Sequence, residues 1–108
     1  MRIRTRTTLS GPVIALVGEL DHDSAPEIRD LFPSLPLKRG QQLVVDLGGL
    51  TLCDSSGITV LIAAHSTVVL AAVPDTVSRT LSIVGLDQVF PAHPTAQAAE
   101  AAWTPPTG

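Results

Sequence analysis

The sequence predicts a single α/β domain built on a mixed β-sheet. Short apolar runs typical of strands alternate with segments of helical apolar spacing, in the order two strands, then helix and strand three times, then a final helix. This alternation predicts about five strands and about four helices, with parallel strands joined by right-handed crossovers. The length of 108 residues and the 44% hydrophobic content allow one core. We therefore assign residues 1–103 to one domain and residues 104–108 to a flexible tail.

The first predicted elements are a hairpin and a helix. Residues 2–9 and 13–17 are typical of two strands joined by a turn. Ser24 stands three residues before Glu27, the capping-box spacing in which a hydroxyl and a carboxylate satisfy each other's backbone N–H groups at a helix start. Apolar residues at helical spacing follow. Pro33 predicts an early end of this helix, because proline removes a donor and clashes with the preceding turn.

The middle of the chain predicts a central strand followed by a helix. Residues 43–47 are too continuously apolar for a half-exposed strand, so we expect a strand covered on both faces. Gly48 and Gly49 are expected to end it. We predict a helix over residues 58–65, because Asp54 offers a cap just before it and alanines near its end favour helix.

Two more strands and two more helices are predicted in the second half. Residues 68–73 form a strand, and a helix capped by Asp75 follows and ends at Gly85. Residues 86–90 are expected to form the short last strand, and the alanine-rich residues 95–102 a final helix.

Composition argues against several classes of function. The net charge is −3 and only Arg2, Arg4 and Arg6 cluster, which argues against a dedicated nucleic-acid surface. Cys53 is the only cysteine and sits in an apolar stretch, so we interpret it as a small core residue. The N-terminus lacks a secretory pattern and no run approaches the roughly 20 apolar residues of a membrane span. We expect a cytoplasmic protein that contacts no membrane.

The four residues Asp54, Ser55, Ser56 and Gly57 allow three interpretations. In the first they only start a helix, since Asp and Ser are ordinary caps. In the second a serine is a hydrolase nucleophile at a strand-to-helix turn, although the glycine spacing of a nucleophile elbow is missing and no triad is indicated. In the third a serine is phosphorylated, because the unpaired N–H groups and dipole of a helix start favour negative charge.

Two motifs in order carry a family resemblance. The stretch Gly-Glu-Leu-Asp at residues 18–21 and the stretch at residues 54–57, followed by residues 68–74 and 84–86, resemble the STAS domain of bacterial anti-sigma factor antagonists over nearly the whole chain. The resemblance implies helices mainly on one face of the sheet, with the end of the second strand beside residues 54–57. At Ser66 family members usually have a longer helix and a glycine-containing turn, so this chain has either a short helix or a missing loop segment.

The resemblance also implies a phosphorylation switch. In that family the partner is an anti-sigma factor that is also an ATP-dependent serine kinase. It binds the unmodified antagonist, frees the sigma factor, and phosphorylates the second serine of the motif, here Ser56. A metal-dependent serine phosphatase resets the switch. The residues implied to contact the partner, some of which also suit a turn or a helix cap, are Asp21, His22, Asp23, Ser24, Asp54, Ser55, Gly57 and Thr59.

We therefore expect a regulatory binding protein and not an enzyme. Its scattered carboxylates show no recognised ligand spacing, so we expect no metal site and no cofactor. The alternative is a STAS subunit of a membrane transporter or sensory assembly that acts as a protein-interaction module. Trp103 suits either an anchor for the last helix or a dimer contact, and the oligomeric state stays open.

Overall fold

The computed structural model describes residues 1–64 and 66–105. Within that part the strands are β1 (Arg2–Thr8), β2 (Gly11–Leu20), β3 (Leu43–Cys53), β4 (Val68–Ala71) and β5 (Ala92–His93). The α-helices are α1 (Ala25–Leu31), α2 (Ser55–Ala63), α3 (Asp75–Ile83) and α4 (Ala96–Ala102), and a 3-10 turn (Phe32–Ser34) follows α1. The predicted fold class is confirmed.

The sheet follows the order of the sequence, β1-β2-β3-β4-β5. The first two strands form the predicted antiparallel hairpin, with Arg2 opposite Val17 and Thr8 opposite Gly11. The other three pairs of neighbouring strands are parallel. In a parallel pair the carboxyl ends of the strands meet at the same edge of the sheet, so the loops that follow β2 and β3 are neighbours.

Helices cover the two faces of the sheet unequally. The larger hydrophobic cluster joins α1, α2 and α3 to the sheet through buried residues such as Ile28, Leu61 and Leu81. The smaller cluster, on the opposite face, includes Ala99 of α4. Neighbouring residues of β3 point to opposite faces, so Val45 belongs to the larger cluster and Val44 to the smaller. The prediction that residues 43–47 form a central strand covered on both faces is confirmed.

The prediction that Gly48 and Gly49 end this strand is wrong, because β3 continues to Cys53. Residues 15 and 17 of β2 pair with residues 46 and 49 of β3, so β3 carries an extra residue at this point. A Cβ at Gly49 would lie 2.7 Å from Val17 Cγ2. The glycine therefore allows close approach of the two strands at a bulge instead of ending one of them.

The last strand differs from the prediction. Residues 86–90 form a turn, in which the Val89 N–H donates to the Leu86 carbonyl at 3.1 Å, and β5 lies further along the chain. The Pro91 carbonyl accepts from the Leu70 N–H at 2.9 Å, which starts the pairing with β4. Phe90 is buried in the larger core, so its apolar character reflects packing and not strand pairing.

The connection from α2 to β4 is short. The Thr67 N–H donates to the Ala64 carbonyl at 3.1 Å, and the Thr67 carbonyl accepts from the Leu43 N–H of β3 at 2.7 Å. Helix α2 is nine residues long, which agrees with the short-helix interpretation of this junction. His65, the last residue of the predicted helix, lies outside the described residues.

Several predicted element ends also change. Strand β4 ends at Ala71, two residues early, because Ala72 has a left-handed φ of 52°. Asp75 is not the cap of α3, since Pro74 takes that position and Asp75 lies in the first turn. Gly85, with φ 78°, follows the end of α3 as predicted. Of the predicted tail, residues 106–108 lie outside the described part, and the domain limits stay a prediction.

Candidate functional site

Two loops meet at the carboxyl ends of β2 and β3. Leu20 pairs with Cys53 in the last step of the parallel register. The Asp54 N–H then donates to the Leu20 carbonyl at 3.1 Å, which ties the start of α2 to the end of β2. Residues 18–21 and residues 54–57, which carry the family resemblance, are therefore in direct contact.

Asp54 caps helix α2. Its backbone is extended, and its Oδ1 accepts from the Ser56 N–H at 2.9 Å and from the Gly57 N–H at 3.2 Å. Two N–H groups that would otherwise lack a partner at the helix start are satisfied in this way. The capping interpretation of Asp54 is confirmed.

Gly57 allows the close approach of α2 to β2. A Cβ at this position would lie 2.6 Å from Leu20 Cγ and 3.0 Å from the Leu20 carbonyl oxygen. Leu20 is fully buried, so it has little room to move away. Gly57 is itself buried, and its role is to bring the first turn of the helix against the strand.

The three hydroxyl groups of this region have different surroundings. Ser55 is exposed, and its carbonyl accepts from Thr59 Oγ1 at 2.8 Å. Ser56 is partly buried and lines a groove that it shares with Thr59 and His22. Among residues 1–64 and 66–105, no hydrogen bond joins either serine hydroxyl to a histidine, so the described geometry adds no support to the nucleophile interpretation.

The turn from Asp21 to Ser24 is held by its own side chains. Asp21 Oδ1 accepts from the Asp23 N–H at 3.0 Å and from the Ser24 N–H at 3.1 Å. Ser24 Oγ donates to the Glu19 carbonyl at 2.7 Å and accepts from the Asp21 N–H at 3.0 Å. The N–H groups of Ser24 and then Asp23 bond to the Asp21 carboxylate and lower its pKa from the ordinary value of 3.8.

The predicted capping box at Ser24 is wrong. Ser24 has a helical backbone (φ −95°, ψ −21°) and makes no side-chain cap for α1. The Ala25 N–H donates to the Asp21 carbonyl at 2.8 Å, so the helical turn starts earlier and the serine hydroxyl faces back toward Glu19. The physical reason is that the cap requires extended backbone at the serine, which the turn does not allow.

A groove of about 300 Å³ lies between α1 and α2, which pack side by side. Most of its lining is apolar, but a histidine, an arginine and two hydroxyl groups also reach it. The lining residues are His22, Ala25, Pro26, Arg29, Ser56, Thr59, Val60 and Ala63. Of the predicted site residues, the groove brings together His22, Ser56 and Thr59.

Two of the predicted acidic site residues, Asp21 and Asp23, line a different surface. A separate and more open pocket of about 500 Å³ is lined by Met1, Gly18, Glu19, Asp21, Asp23, Ser24 and Glu27. Within the turn, His22 therefore contributes to the groove beside Ser56, whereas Asp21 and Asp23 contribute to the acidic pocket. The turn therefore separates two groups of the predicted contact residues, whereas Asp54, Ser55 and Gly57 line neither surface.

Arg29, the arginine of the groove, was not among the predicted site residues. Its side chain is 64% exposed, and its Nε lies 3.7 Å from Asp30 Oδ1, whose side chain is 79% exposed. A signal was present in the sequence, because Arg29 follows Ala25 by four residues and Pro26 by three and so shares their helix face.

The prediction that Cys53 is a core residue is confirmed. It is buried, and burial followed by the nearby Asp54 charge raises its pKa to about 11. The thiol is therefore protonated near neutral pH and is a poor nucleophile.

The described part of the chain shows no arrangement for a metal or a membrane span. Within residues 1–64 and 66–105, no group of three or more His, Cys, Asp or Glu side chains is placed to hold a metal ion. None of the helices in this part has the length and apolar character needed to cross a bilayer.

Solved structures share this architecture. An anti-sigma factor antagonist STAS domain protein from Planctomyces limnophilus is 20% identical, with a TM-score of 0.81 over 94% of this chain and 97% of that chain. An anti-sigma factor antagonist from Mycobacterium paratuberculosis is 24% identical, with a TM-score of 0.80 over 94% and 92%. The anti-sigma factor antagonist SpoIIAA in its unphosphorylated form is 19% identical, with a TM-score of 0.73 over 93% and 95%.

Sequence comparison gives the family. No curated protein sequence matches the chain. The family model described as Mlab, STAS domain matches residues 3–91, which is more than half of the chain. Together with the five-stranded mixed sheet and its helices, this match confirms the predicted resemblance: the chain belongs to the STAS domain family.

Proposed function

We propose that this chain is an anti-sigma factor antagonist controlled by phosphorylation of Ser56. Its unmodified form binds an anti-sigma factor that is also a serine kinase, and this binding releases the sigma factor. Phosphorylation of Ser56 by that kinase weakens the complex, and a metal-dependent serine phosphatase restores the binding form. The chain itself acts as a binding protein in the cytoplasm and has no enzymatic activity.

The position of Ser56 is the observation that carries this proposal. Ser56 lies in the first turn of α2 and lines the groove between α1 and α2, so one residue combines an accessible hydroxyl with a surface that a partner can contact. Ser55 lies outside the residues that line that groove. One structural neighbour, SpoIIAA, is known in both an unphosphorylated and a phosphorylated form.

The phosphoryl group comes from ATP bound to the kinase. The Ser56 Oγ–P bond forms as the bond between the γ-phosphorus and the bridging oxygen breaks, ADP leaves, and a base of the kinase takes the hydroxyl proton. The product carries about 1.5 to 2 added negative charges. The phosphate on Ser56 lies next to a charge of the same sign, the Asp54 carboxylate, whose Oδ1 accepts from the Ser56 N–H.

Charge at this position favours release over unfolding. A negative group near a helix start is stabilised by roughly 0.3 to 1 kcal/mol, so the isolated domain keeps its fold. At an interface the same phosphate must be removed from water against a surface that did not accommodate it. Such removal costs several kcal/mol where no partner charge matches, and about 1.4 kcal/mol already weakens binding tenfold.

The modification test uses the candidate kinase and ATP with the full chain, followed by mass spectrometry. We expect one phosphate on Ser56, none on Ser56→Ala, and normal modification of Ser55→Ala, which is the matched control from the same helical turn. Absence of phosphate on Ser56, or its appearance on Ser55, contradicts the proposed acceptor.

The binding test measures affinity for the same partner by calorimetry. Ser56→Ala is expected to bind like the unmodified chain, and Ser56→Asp to bind at least about tenfold more weakly because of its charge. Tight binding by Ser56→Asp would argue against release by charge. Recovery of a transporter ATPase subunit in place of an anti-sigma factor in a pull-down would favour the alternative role as a transporter subunit.

A further inference from the structure

Two N–H groups at the start of α2 are already bonded to a carboxylate and are not free to bind a phosphate on Ser56. The N–H groups of Ser56 and Gly57 both donate to Asp54 Oδ1, at 2.9 and 3.2 Å. A phosphate in the first turn therefore meets a carboxylate where a free helix start would have provided donors. The helix dipole still favours the negative charge, but additional hydrogen-bond donors for that phosphate have to come from groups on another element.

Arg29 is such a group. It reaches the groove from α1, opposite the side that Ser56 and Thr59 provide from α2. Its described ion pair joins Nε to Asp30 Oδ1 at 3.7 Å between two largely exposed side chains, a kind of pair that contributes little to stability. The terminal N–H groups of the guanidinium can therefore donate to a stronger acceptor. A phosphate is a suitable acceptor, because its oxygens match the planar arrangement of these donors.

The remaining charges near the groove favour the same site. His22 lines it and can supply a second donor. Glu19, Asp21 and Asp23 line the separate acidic pocket on the other side of the turn. Among the described residues that line the groove, the charged or titratable groups are Arg29 and His22.

We propose that a phosphate on Ser56 is held across the groove by the Arg29 guanidinium, with His22 as a second donor. This inference rests on the proposed function, because it needs the phosphate on Ser56. The contact bridges α1 and α2 and occupies the groove with the chain's own phosphate. A partner that uses this groove then loses its docking surface as well as meeting added charge.

The test installs phosphoserine at position 56 of the full chain by genetic encoding, so that no kinase or partner is needed. The titration midpoint of the phosphate, between monoanion and dianion, is followed by phosphorus NMR. An adjacent guanidinium favours the dianion and lowers this midpoint. We expect Arg29→Gln to move the midpoint to higher pH by about 0.2 to 0.7 units, the range of an exposed ion pair.

Two controls separate a local contact from a general change in charge. Arg79→Gln removes an arginine from α3, whose residues do not line this groove, and should leave the midpoint unchanged. With phosphoserine at the exposed position 55, Arg29→Gln should have much less effect than with phosphoserine at position 56. An unchanged midpoint in Arg29→Gln, or an equal change in Arg79→Gln, overturns the proposed contact.

The result is independent of the partner experiments. If Arg29 does not shift the phosphate midpoint but the kinase modifies Ser56 and binding weakens, the proposed function stands and the Arg29 contact fails. If Arg29 shifts the midpoint but no kinase modifies Ser56, the contact stands and the proposed function fails.

Discussion

Gly57 shows how a single residue without a side chain positions the site. It lies in a regular helix, where alanine is favoured over glycine by about 1 kcal/mol. The space beside it is taken by the side chain and carbonyl oxygen of the buried Leu20. The distance between α2 and the end of β2, and with it the position of Ser56, therefore depends on the absence of a Cβ.

We expect Gly57→Ala to lower the free energy of unfolding by about 1 to 3 kcal/mol, because overpacking outweighs the gain in helix propensity. Urea denaturation followed by circular dichroism measures this change. Ser55→Ala, an exposed change in the same turn, should stay within about 0.5 kcal/mol of the parent. A Gly57→Ala variant as stable as the parent would show that Leu20 moves aside.

The turn of residues 21–24 is a small element with its own hydrogen bonds. Ser24 Oγ anchors it to the Glu19 carbonyl, and the Asp21 carboxylate accepts two N–H groups of the turn. This arrangement separates His22, on the groove side, from Asp21 and Asp23 in the acidic pocket. The turn therefore keeps the acidic side chains away from the phosphate that we propose on Ser56.

A pH titration tests this turn. The pKa of Asp21 is lowered in the folded chain, so its ionised form stabilises the fold above pH 3.8, and this contribution is lost as the pH falls through the lowered pKa. We expect Ser24→Ala to loosen the turn and raise the pKa of Asp21 toward 3.8, as measured by carboxyl NMR. Ser34→Ala, whose hydroxyl bonds to the Leu31 carbonyl, is the control. An unchanged Asp21 titration in Ser24→Ala would mean that the hydroxyl does not hold the turn.

At the scale of the whole molecule, α4 packs on the face of the sheet opposite α1, α2 and α3. Ala99 of α4 is fully buried there, and Gln42 Nε2 donates to the Ala99 carbonyl at 3.1 Å. Trp103 Nε1 donates to the Gly40 carbonyl at 3.0 Å, which supports its predicted role as an anchor for the last helix. The Ser56 groove lies on the opposite face, between α1 and α2.

We expect Trp103→Ala to destabilise the fold by about 1 to 3 kcal/mol, through lost packing and one lost hydrogen bond. Hydrogen exchange of the α4 amides should accelerate more than exchange in α2. Trp103→Phe keeps an aromatic ring but loses the N–H donor, so a smaller loss of about 0.5 to 1.5 kcal/mol is expected. Equal protection of α4 in the parent and in Trp103→Ala would contradict the anchoring role.

Local chemistry in the chain was sufficient to predict much of this protein. The order of strands and helices follows from apolar spacing, the cap of α2 from Asp54, and the end of α3 from Gly85, because each depends on neighbours within a few residues. The predicted start of α2 at residue 58 was wrong, since the helix starts at Ser55. The two motifs at residues 18–21 and 54–57, present in this order, predicted membership of the STAS domain family, and the family match confirms this prediction.

Contacts between distant parts of the chain decided the rest. Gly49 lies inside β3 because a bulge brings that strand against Val17, and the apolar residues 86–90 pack as a turn because β5 pairs further along. Arg29 shares a groove with Ser56 because α1 and α2 pack side by side, although 27 positions separate the two residues in the sequence. The spacing of apolar residues and helix capping are local properties of the sequence. The neighbours of Ser56 depend on how the helices pack on the sheet, and no local sequence pattern encodes that packing.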